Sequence, residues 1–288
     1  VLGLNARNLS YVHGMNRREH FPLADDKVRT KELLESAGVP VPVTLAVLSN
    51  LVEVNRARTA LERTTEFVLK PTRGRQGGGI VVVIGRQEAL FELAGGSRLD
   101  WEGLRRAMAD ILFGVHTSGR ADRVLVEKLI RPHPDLGGLA GAGLPDVRVI
   151  LLKGDPAMAM MRVPTRASAG RANLHRGAAG VALRLSDGLA FRCLLEGREA
   201  GEHPESGAPL VGFRVPMWPA VLDVARRAAA SLPLPFLGVD IVLTAGGPLV
   251  MEVNVRPGLE IQNVNRRGLR RRLEAIDGSR RRDAREAG

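Results

Sequence analysis

Three side chains that carry oxygen atoms stand at a fixed spacing near the end of the chain: Asp240, Glu252 and Asn254. They lie in two apolar segments, and the Gly246–Pro248 segment between them predicts a hairpin turn. Pairing centred near Gly246 would place Asp240 opposite Glu252, with Asn254 two residues further along the same face. Carboxylate and amide oxygens on one face suit a hard cation such as Mg²⁺. An edge hairpin with its polar face in water is the alternative.

A glycine-rich segment follows Lys70 and contains Gly74, Gly77, Gly78 and Gly79. Glycine lets backbone N–H groups approach an anion closely, and a lysine at the end of an apolar strand can reach a phosphate. The segment is not a P-loop, because it lacks the Gly-Lys-Ser/Thr ending and a strand follows it instead of a helix. A flexible turn that binds nothing is the alternative for the segment taken alone.

A second strand end carries polar groups of another kind. At the end of an apolar strand, backbone N–H and C=O groups can pair with the edge of an adenine ring. The residues in this position are Glu127, Lys128, Leu129 and Ile130. An ordinary exit from a strand into a loop is the simpler interpretation.

Two arginines, Arg148 and Arg162, lie on a second predicted hairpin. Pairing centred near Asp155 would bring them directly opposite each other, which is destabilising unless an anion lies between them. Solvation of both arginines on an exposed face is the alternative. The polar loop that follows contains Asn173 and His175, which could help to close over an anion, although a lone histidine in a loop is more often not catalytic.

The elements that must position these residues are a mixture of helices and strands. Helices are predicted at residues 25–37, 100–113 and 217–231, and strands at 67–70, 80–84, 124–130, 147–152 and 157–163. Residues 131–145 and 186–216 read as long irregular segments, and we find no internal repeat.

Composition limits the classes of function. The 288 residues are 44% hydrophobic, without an apolar run long enough to span a membrane and without a signal-peptide pattern at the start. Cys193 is the single cysteine, so an internal disulfide is excluded and a structural zinc site is not expected. These features predict a cytoplasmic protein.

The net charge of +11 favours anionic ligands such as nucleotides, acidic peptides or RNA. Part of this charge lies in residues 266–288, which contain nine arginines and four acidic residues and predict a terminal helix with a frayed end. An RNA-binding protein is the main alternative to an enzyme. Only 3% of the residues are aromatic, and no basic and aromatic platform is visible, which argues against RNA.

The motifs occur in the order Lys27, Lys70 with its glycine segment, 127–130, Arg148, Asn173 and the 238–258 hairpin. In this order the chain resembles the ATP-grasp superfamily from about residue 5 to 265. The resemblance is greatest to RimK-type and alpha-L-glutamate ligase-like enzymes and to sugar-transfer-associated ATP-grasp proteins. It implies an α+β ATP-grasp fold in which two α+β lobes hold ATP between them.

The resemblance also implies a division of the chain. A minimal N-terminal segment covers 1–26, and an ATP-grasp domain covers 27–265, with a small ATP-covering lobe at about 45–125. The basic helix and tail cover 266–288. Typical relatives carry a complete α/β domain where this chain has 1–26, so the acceptor site is expected to differ.

Roles for the individual residues follow from the same resemblance. Phosphate contacts are implied for Lys27 and Lys70, and cover of the β- and γ-phosphates for Gly74, Gly77, Gly78 and Gly79. Adenine contacts are implied for Glu127, Lys128, Leu129 and Ile130. Ligation of one or two Mg²⁺, or Mn²⁺ in its place, is implied for Asp240, Glu252 and Asn254. Positions near the transferred phosphate or the acyl phosphate are implied for Arg148, Arg162, Arg256 and Asn173. Arg256 stands where RimK-type enzymes typically have a small residue.

The implied activity is that of an ADP-forming carboxylate–amine ligase that acts through an acyl phosphate on glutamate, another amino acid or a peptide. We expect anionic carboxylate and amine substrates and no nucleic acid, and the oligomeric state is left open. An ATP-grasp enzyme with another acceptor, either sugar-transfer-associated or kinase-like, is the nearest alternative. A catalytically inactive ATP sensor is disfavoured, because both lysines and all three cation-type residues are present.

Overall fold

The computed structural model describes residues 1–74, 78–141 and 143–286. The chain divides into two compact units, each built around its own antiparallel sheet. The six-stranded unit comprises Asp26–Val28 and Pro42–Arg131. The seven-stranded unit comprises Val1–Asp25, Arg29–Val41 and Pro132–Gly288.

The α-helices of the described residues are α1 Leu4–Ala6, α2 His13–Met15, α3 Pro22–Asp25, α4 Lys27–Ser36, α5 Leu51–Arg63, α6 Trp101–Leu112, α7 Gly137–Ala140, α8 Trp218–Ala230, α9 Glu260–Asn265 and α10 Leu269–Glu286. A π-helical segment, Arg7–Val12, joins α1 to α2. Short 3₁₀ turns occur at Arg18–His20, Pro134–Leu136 and Leu174–Arg176.

The strands of the first sheet are β1 Thr44–Leu48, β2 Phe67–Pro71, β3 Val81–Gln87, β4 Leu90–Leu93, β5 Arg98–Leu99 and β6 Val124–Lys128, in the order β1-β6-β2-β3-β4-β5. Those of the second are β7 Asp146–Leu152, β8 Asp155–Val163, β9 Ala179–Leu183, β10 Ala190–Leu195, β11 Arg198–Glu199, β12 Phe236–Thr244 and β13 Gly247–Asn254, in the order β11-β10-β9-β8-β7-β12-β13.

The six-stranded unit buries one face of its sheet under α5 and α6. Leu104, Met108 and Ile111 are fully buried at the spacing of one helical face in α6. They pack in the same core as Phe67 and Phe91, whose rings meet edge to face. Because successive strand residues point to opposite faces, the polar residues that alternate with this core lie on the other face of the sheet.

The seven-stranded unit has a core on both faces of its central strands. Strands β7, β8 and β12 read as nearly continuous apolar runs because helices or loops cover them on both sides. Helix α10 contributes Leu269, Leu273 and Ile276, which are buried and spaced along one face of the helix. A charged residue within one of these strands is therefore taken out of water unless the cover opens at that point.

Most of the predicted elements are confirmed within a few residues, and the first helix shows one difference. It was predicted as a single helix across 25–37, but the structure has α3 and α4 with Asp26 between them. The side chain of Asp26 accepts a hydrogen bond from the N–H of Val28 at 3.1 Å, so Asp26 acts as the N-cap of α4.

One predicted register is confirmed and one is wrong. Asp240 pairs with Glu252 as predicted. Arg148 does not lie opposite Arg162: it pairs with Met160, and Arg162 pairs with Asp146. The cause is a two-residue turn at Lys153 and Gly154, both with positive φ, which closes the hairpin earlier than expected. A bulge between this turn and Arg148 offsets only part of the shift.

Two further features concern the loops and the surface. Residues 186–216 read as irregular but contain β10 and β11, and 131–145 contain α7 and a 3₁₀ turn. Among the helices that the structure describes, none combines the length and the apolar character that crossing a bilayer would require.

The buried face of α10 gives a prediction about the tail. Deletion of residues 278–288 leaves Leu269, Leu273 and Ile276 in place, so we expect little change in the melting temperature. The change Leu273→Ala should cost about 2–5 kcal/mol, because it opens a cavity in the core. Thermal and urea unfolding of the two variants would test this. A deletion variant as unstable as Leu273→Ala would show that the tail belongs to the packed domain.

Candidate functional site

The centre of the candidate site in the seven-stranded unit is Asp240, on the strand β12. Asp240 pairs with Glu252 of β13 on one side and with Arg148 of β7 on the other. Its exposed fraction is 2%, so the carboxylate is held away from bulk water. A buried carboxylate needs compensating charges and hydrogen bonds, and both neighbouring strands supply them.

Two guanidinium groups and an amide hold the carboxylate of Asp240. Arg148 donates from Nε to Oδ1 and from Nη2 to Oδ2, both at 2.7 Å, in a bidentate pair. Arg162 donates to Oδ2 at 2.8 Å, and the amide nitrogen of Asn254 donates to the same oxygen at 3.1 Å. Arg162 also makes a bidentate pair with Asp146. Acidic and basic side chains therefore alternate in a chain of ion pairs, in the order Asp146, Arg162, Asp240 and Arg148.

The shifts in pKa follow from this alternation. Burial by itself raises the pKa of Asp240, but the charges of Arg148 and Arg162 outweigh it and hold the pKa below its ordinary value. Burial raises the pKa of Asp146 to about 6, against the opposing effect of Arg162. Burial opposes the charged form of Arg162, but Asp146 and Asp240, and to a smaller extent Glu252, raise its pKa. The charge of Glu252 thus acts on the same cluster.

The donor atoms of this cluster fit a hard divalent cation in kind. Glu252 offers a carboxylate, and Asn254 keeps its amide oxygen, since its nitrogen is the atom bonded to Asp240. The carboxylate of Asp240 is largely occupied by the protein itself, because Oδ2 accepts three hydrogen bonds and Oδ1 accepts one. A cation would also lie near two guanidinium groups. We infer that an anionic ligand must accompany the cation to offset this charge.

The six-stranded unit presents a second set of charges. Lys70 of β2 donates from Nζ to Glu127 of β6 at 2.5 Å, and the two side chains are 12% and 4% exposed. The sequence predicted separate roles for this lysine and this carboxylate, in phosphate and adenine contacts. The structure brings them together as a buried ion pair on adjacent strands.

The glycine segment is held at its base by polar contacts within the same unit. Lys27 donates from its backbone N–H to the carbonyl of Thr72 at 3.0 Å and from Nζ to the carbonyl of Gly74 at 2.9 Å. A Cβ at Gly74 would lie 2.2 Å from Pro71, so only glycine fits there. Asp122 accepts hydrogen bonds from the hydroxyl of Thr72 and the N–H of Arg73. Lys27 and the start of the glycine segment are therefore adjacent.

Other predicted site residues have hydrogen bonds or positions of their own. Asn173 caps the short turn that follows it, with Oδ1 accepting from the N–H of His175 at 3.0 Å. Lys128 is exposed, and its backbone N–H donates to Val43 at 2.9 Å. Leu129 and Ile130 follow the end of β6. Gly78 and Gly79 form a turn before β3, whereas Gly77 lies outside the described residues.

Sequence reasoning missed several acids that organise these sites. Asp146 holds Arg162, and its position two residues before Arg148 was a visible signal for a shared face. Asp122 holds the base of the glycine segment, and Asp26 accepts both from the guanidinium of Arg123 and from its own helix. The sequence placed Asp26 at the start of a helix, but its partner Arg123 is 97 residues away. Thr72 and Arg73 are 50 and 49 residues from Asp122, so no local pattern pointed to these distant contacts.

Comparison with known families confirms the resemblance to ATP-grasp proteins. The family model described as sugar-transfer associated ATP-grasp matches residues 6–278. A probable alpha-L-glutamate ligase of Xanthomonas campestris pv. campestris is 28% identical over 235 residues, which cover 82% of this chain and 58% of that protein. A ribosomal protein bS6–L-glutamate ligase of Salmonella paratyphi B is 27% identical over 237 residues, or 82% of this chain and 57% of that protein. The chain thus spans less than two thirds of the length of these relatives.

Solved structures share the fold at low identity. Biotin carboxylase of Campylobacter jejuni has a TM-score of 0.56 at 14% identity and is matched by 91% of this chain over 48% of its own length. A D-alanine–D-alanine ligase of Bacillus anthracis has a TM-score of 0.51 at 14% identity, with 95% of this chain and 72% of that one covered. At these identities the likeness concerns the fold alone.

The network around Asp240 gives a prediction about stability. Asp240→Asn should lower the free energy of unfolding by about 3–5 kcal/mol, because it removes the negative charge that Arg148 and Arg162 share as a counter-charge. Asp187→Asn is the matched control, since Asp187 also binds two arginines, Arg184 and Arg214, but at an exposed site. Urea unfolding at neutral pH measures both. Equal losses in the two variants would contradict the role assigned to burial.

Proposed function

Because the chain belongs to the sugar-transfer associated ATP-grasp family, we propose that it uses ATP and Mg²⁺ to join a carboxylate to an amine. The observation that carries the proposal is the arrangement of Asp240, Glu252 and Asn254 in register on one sheet face, with Arg148 and Arg162 bonded to it. This face combines oxygen ligands for a cation with donors for an anion. Phosphoryl transfer requires both.

The cations of the six-stranded unit are suited to holding the nucleotide phosphates. Lys27 lies at the start of the glycine segment, where backbone N–H groups can add to its charge. Lys70 uses one of its three N–H donors on Glu127, which leaves donors for a phosphate oxygen. Glu127 in turn fixes the position of the lysine, since the pair is largely buried. We assign the adenine contacts to the end of β6, following the resemblance.

The cation-binding role is assigned to Glu252, Asn254 and the remaining lone pairs of Asp240. A bound Mg²⁺ would neutralise phosphate charge and orient the phosphoryl group. The side chains themselves are held in place by the sheet, with Asp240 fixed by two arginines before any ligand arrives. Such prior positioning lowers the reorganisation needed during reaction.

Arg148 and Arg162 are proposed to stabilise the charge that develops on the transferred group. In the proposed reaction a substrate carboxylate oxygen attacks the γ-phosphorus of ATP, ADP leaves, and an acyl phosphate forms. The amine nitrogen then attacks the acyl carbon, inorganic phosphate leaves, and the amine loses a proton. Each guanidinium can donate to phosphate oxygens from the N–H groups that its aspartate does not occupy.

The substrate is proposed to be an anionic amino acid or peptide. The relatives named as glutamate ligases support this choice, as does the net charge of +11. An ATP-grasp enzyme that acts on another acceptor, including one connected with sugar transfer, would use ATP in the same way and fits the family description equally well.

The acceptors can be distinguished by measuring the release of ADP across a set of amino acids and small carboxylates, with mass spectrometry of the products. Stabilisation by RNA alone, without any effect of ATP and Mg²⁺, would support the RNA-binding alternative instead.

Changes at Lys70 separate phosphate binding from folding. Lys70→Met should weaken the binding of ADP–Mg²⁺ about tenfold or more, because this change in affinity corresponds to the loss of one charge-assisted hydrogen bond. It should also destabilise the unit, because Glu127 loses a buried counter-charge. Adding Glu127→Gln should restore stability without restoring nucleotide affinity. Calorimetry and urea unfolding would measure the two effects. Lys153→Ala is the control, since Lys153 pairs with Asp277 at a more exposed site.

The change Glu252→Gln tests the cation role. The substitution is nearly isosteric, so the fold should survive, whereas Mg²⁺-dependent release of ADP should be lost because an amide cannot offset the cation's charge. ADP release is measured on protein whose unfolding curve matches the wild type. Full turnover by the folded variant would contradict the assignment of Glu252.

A further inference from the structure

The segment after β13 turns back over the face that carries Asp240. A Cβ placed on Gly238 of β12 would lie 2.8 Å from Pro257, and one placed on Gly258 would lie 3.9 Å from Nη1 of Arg148. Gly238 precedes Asp240 by two residues and therefore points to the same face. The residues from Arg256 to Gly258 are thus part of the surroundings of the carboxylate cluster.

The guanidinium of Arg256 lies over an aromatic ring. Its central carbon is 4.8 Å from the centroid of the ring of Phe21, which is itself buried in the same unit. Stacking on a ring fixes the plane of the guanidinium while leaving its N–H edge able to donate. Although the side chain of Arg256 is exposed, its orientation is therefore restricted.

A second guanidinium, that of Arg7, approaches the same segment from the N-terminal part of the unit. Arg7 is 8% exposed and donates from Nη1 to the carbonyl of Pro257 at 3.0 Å. Its Nε and Nη2 donate to Oδ1 of Asn8 at 3.0 and 2.7 Å. All of these acceptors are neutral, so they satisfy hydrogen bonds without compensating the charge.

Neither arginine forms an ion pair with any residue that the structure describes. Arg148 and Arg162, by contrast, each bind aspartate. A buried guanidinium without a counter-charge is costly, and a second cation close to it adds to the cost. Burial and the charge of Arg256 both lower the pKa of Arg7, which is the expected consequence of two neighbouring cations without an anion.

We propose that Arg7 and Arg256 form a subsite for an anionic group, a carboxylate or a phosphate, carried by the substrate and distinct from the reacting carboxylate. The inference rests on the proposed function for the identity of the substrate, but not for the binding of an anion. The planar N–H edge of a guanidinium is suited to a carboxylate, which it can bind through two parallel hydrogen bonds. The nucleotide phosphates are already assigned to Lys27 and Lys70. Binding at this subsite would hold the substrate in place beside the carboxylate cluster.

The chain offers a matched control for Arg256. Arg267 is also an exposed arginine of the same unit, with its central carbon 5.9 Å from the centroid of Phe191. Arg256→Gln and Arg267→Gln therefore remove the same charge and the same type of stacking contact. They differ in their distance from the carboxylate cluster along the chain and in the presence of Arg7.

The test measures anion binding directly. The melting temperature is measured as a function of the concentration of malonate or of inorganic phosphate. Chloride at the same ionic strength is the reference. We expect both anions to stabilise the wild type and Arg267→Gln beyond chloride, and the apparent affinity to fall at least tenfold in Arg256→Gln. Arg256→Lys should lie between them, because it keeps the charge but loses the planar donor pair. No effect beyond chloride in the wild type, or equal effects in the two Gln variants, would overturn the proposal.

A second measurement identifies which ligand carries the anion. The affinity for ADP–Mg²⁺ should agree within about twofold between Arg256→Gln and the wild type. A tenfold loss would show that the pair binds nucleotide phosphates, and this would overturn the assignment to the substrate. If the wild type does not bind ADP–Mg²⁺ but malonate binding still depends on Arg256, the ligase proposal fails and the anion subsite stands.

Discussion

The structure of the candidate site depends on the neutralisation of one buried carboxylate. Asp240 lies on a strand whose two neighbours each supply a partner: Arg148 from β7, and Asn254 from β13. Arg162 reaches the same carboxylate from the next strand, β8. The register of four strands must therefore be correct at the same time. A shift of any strand by one residue would turn its polar side chain into the apolar core on the opposite face.

Both units use the same physical arrangement. In each sheet, ionic side chains occupy alternate positions of strands whose other side chains pack in an apolar core. In the six-stranded unit, Lys70 and Glu127 neutralise each other there, much as Asp240 and the arginines do in the other sheet. Buried ion pairs of this kind contribute little net stability, because desolvation offsets most of the attraction. Stability alone therefore does not explain their presence, and the function proposed above would use these charged groups to hold a ligand.

Arg7 and Arg256 depart from this pattern. The charged groups of the two ionic clusters face opposite charges within the protein. Arg7, which is buried, and Arg256, which is exposed, are held instead by carbonyl, amide and aromatic groups. The fold positions them through the turn after β13 and through the N-terminal segment, whose Phe21 lies under Arg256. An anion from outside the protein would complete the charge balance. This makes the N-terminal segment part of the surroundings of the site, although its sequence showed no periodic pattern.

The sequence by itself determined what depends on neighbouring residues. The hairpin of Asp240 and Glu252 was predictable because its turn and both strands are contiguous, and residue type and order were enough to nominate candidates for a cation site and for phosphate contacts. The register between β7 and β8 could not be predicted, because it depended on the positive φ of Lys153 and Gly154, which residue types alone do not specify. The pairs of Arg148 with Asp240 and of Lys70 with Glu127 were decided by the tertiary structure. The two residues of the first pair are 92 positions apart in the sequence, and those of the second pair are 57 positions apart. Pairing at that distance depends on how the whole chain packs, which leaves no signal in local periodicity.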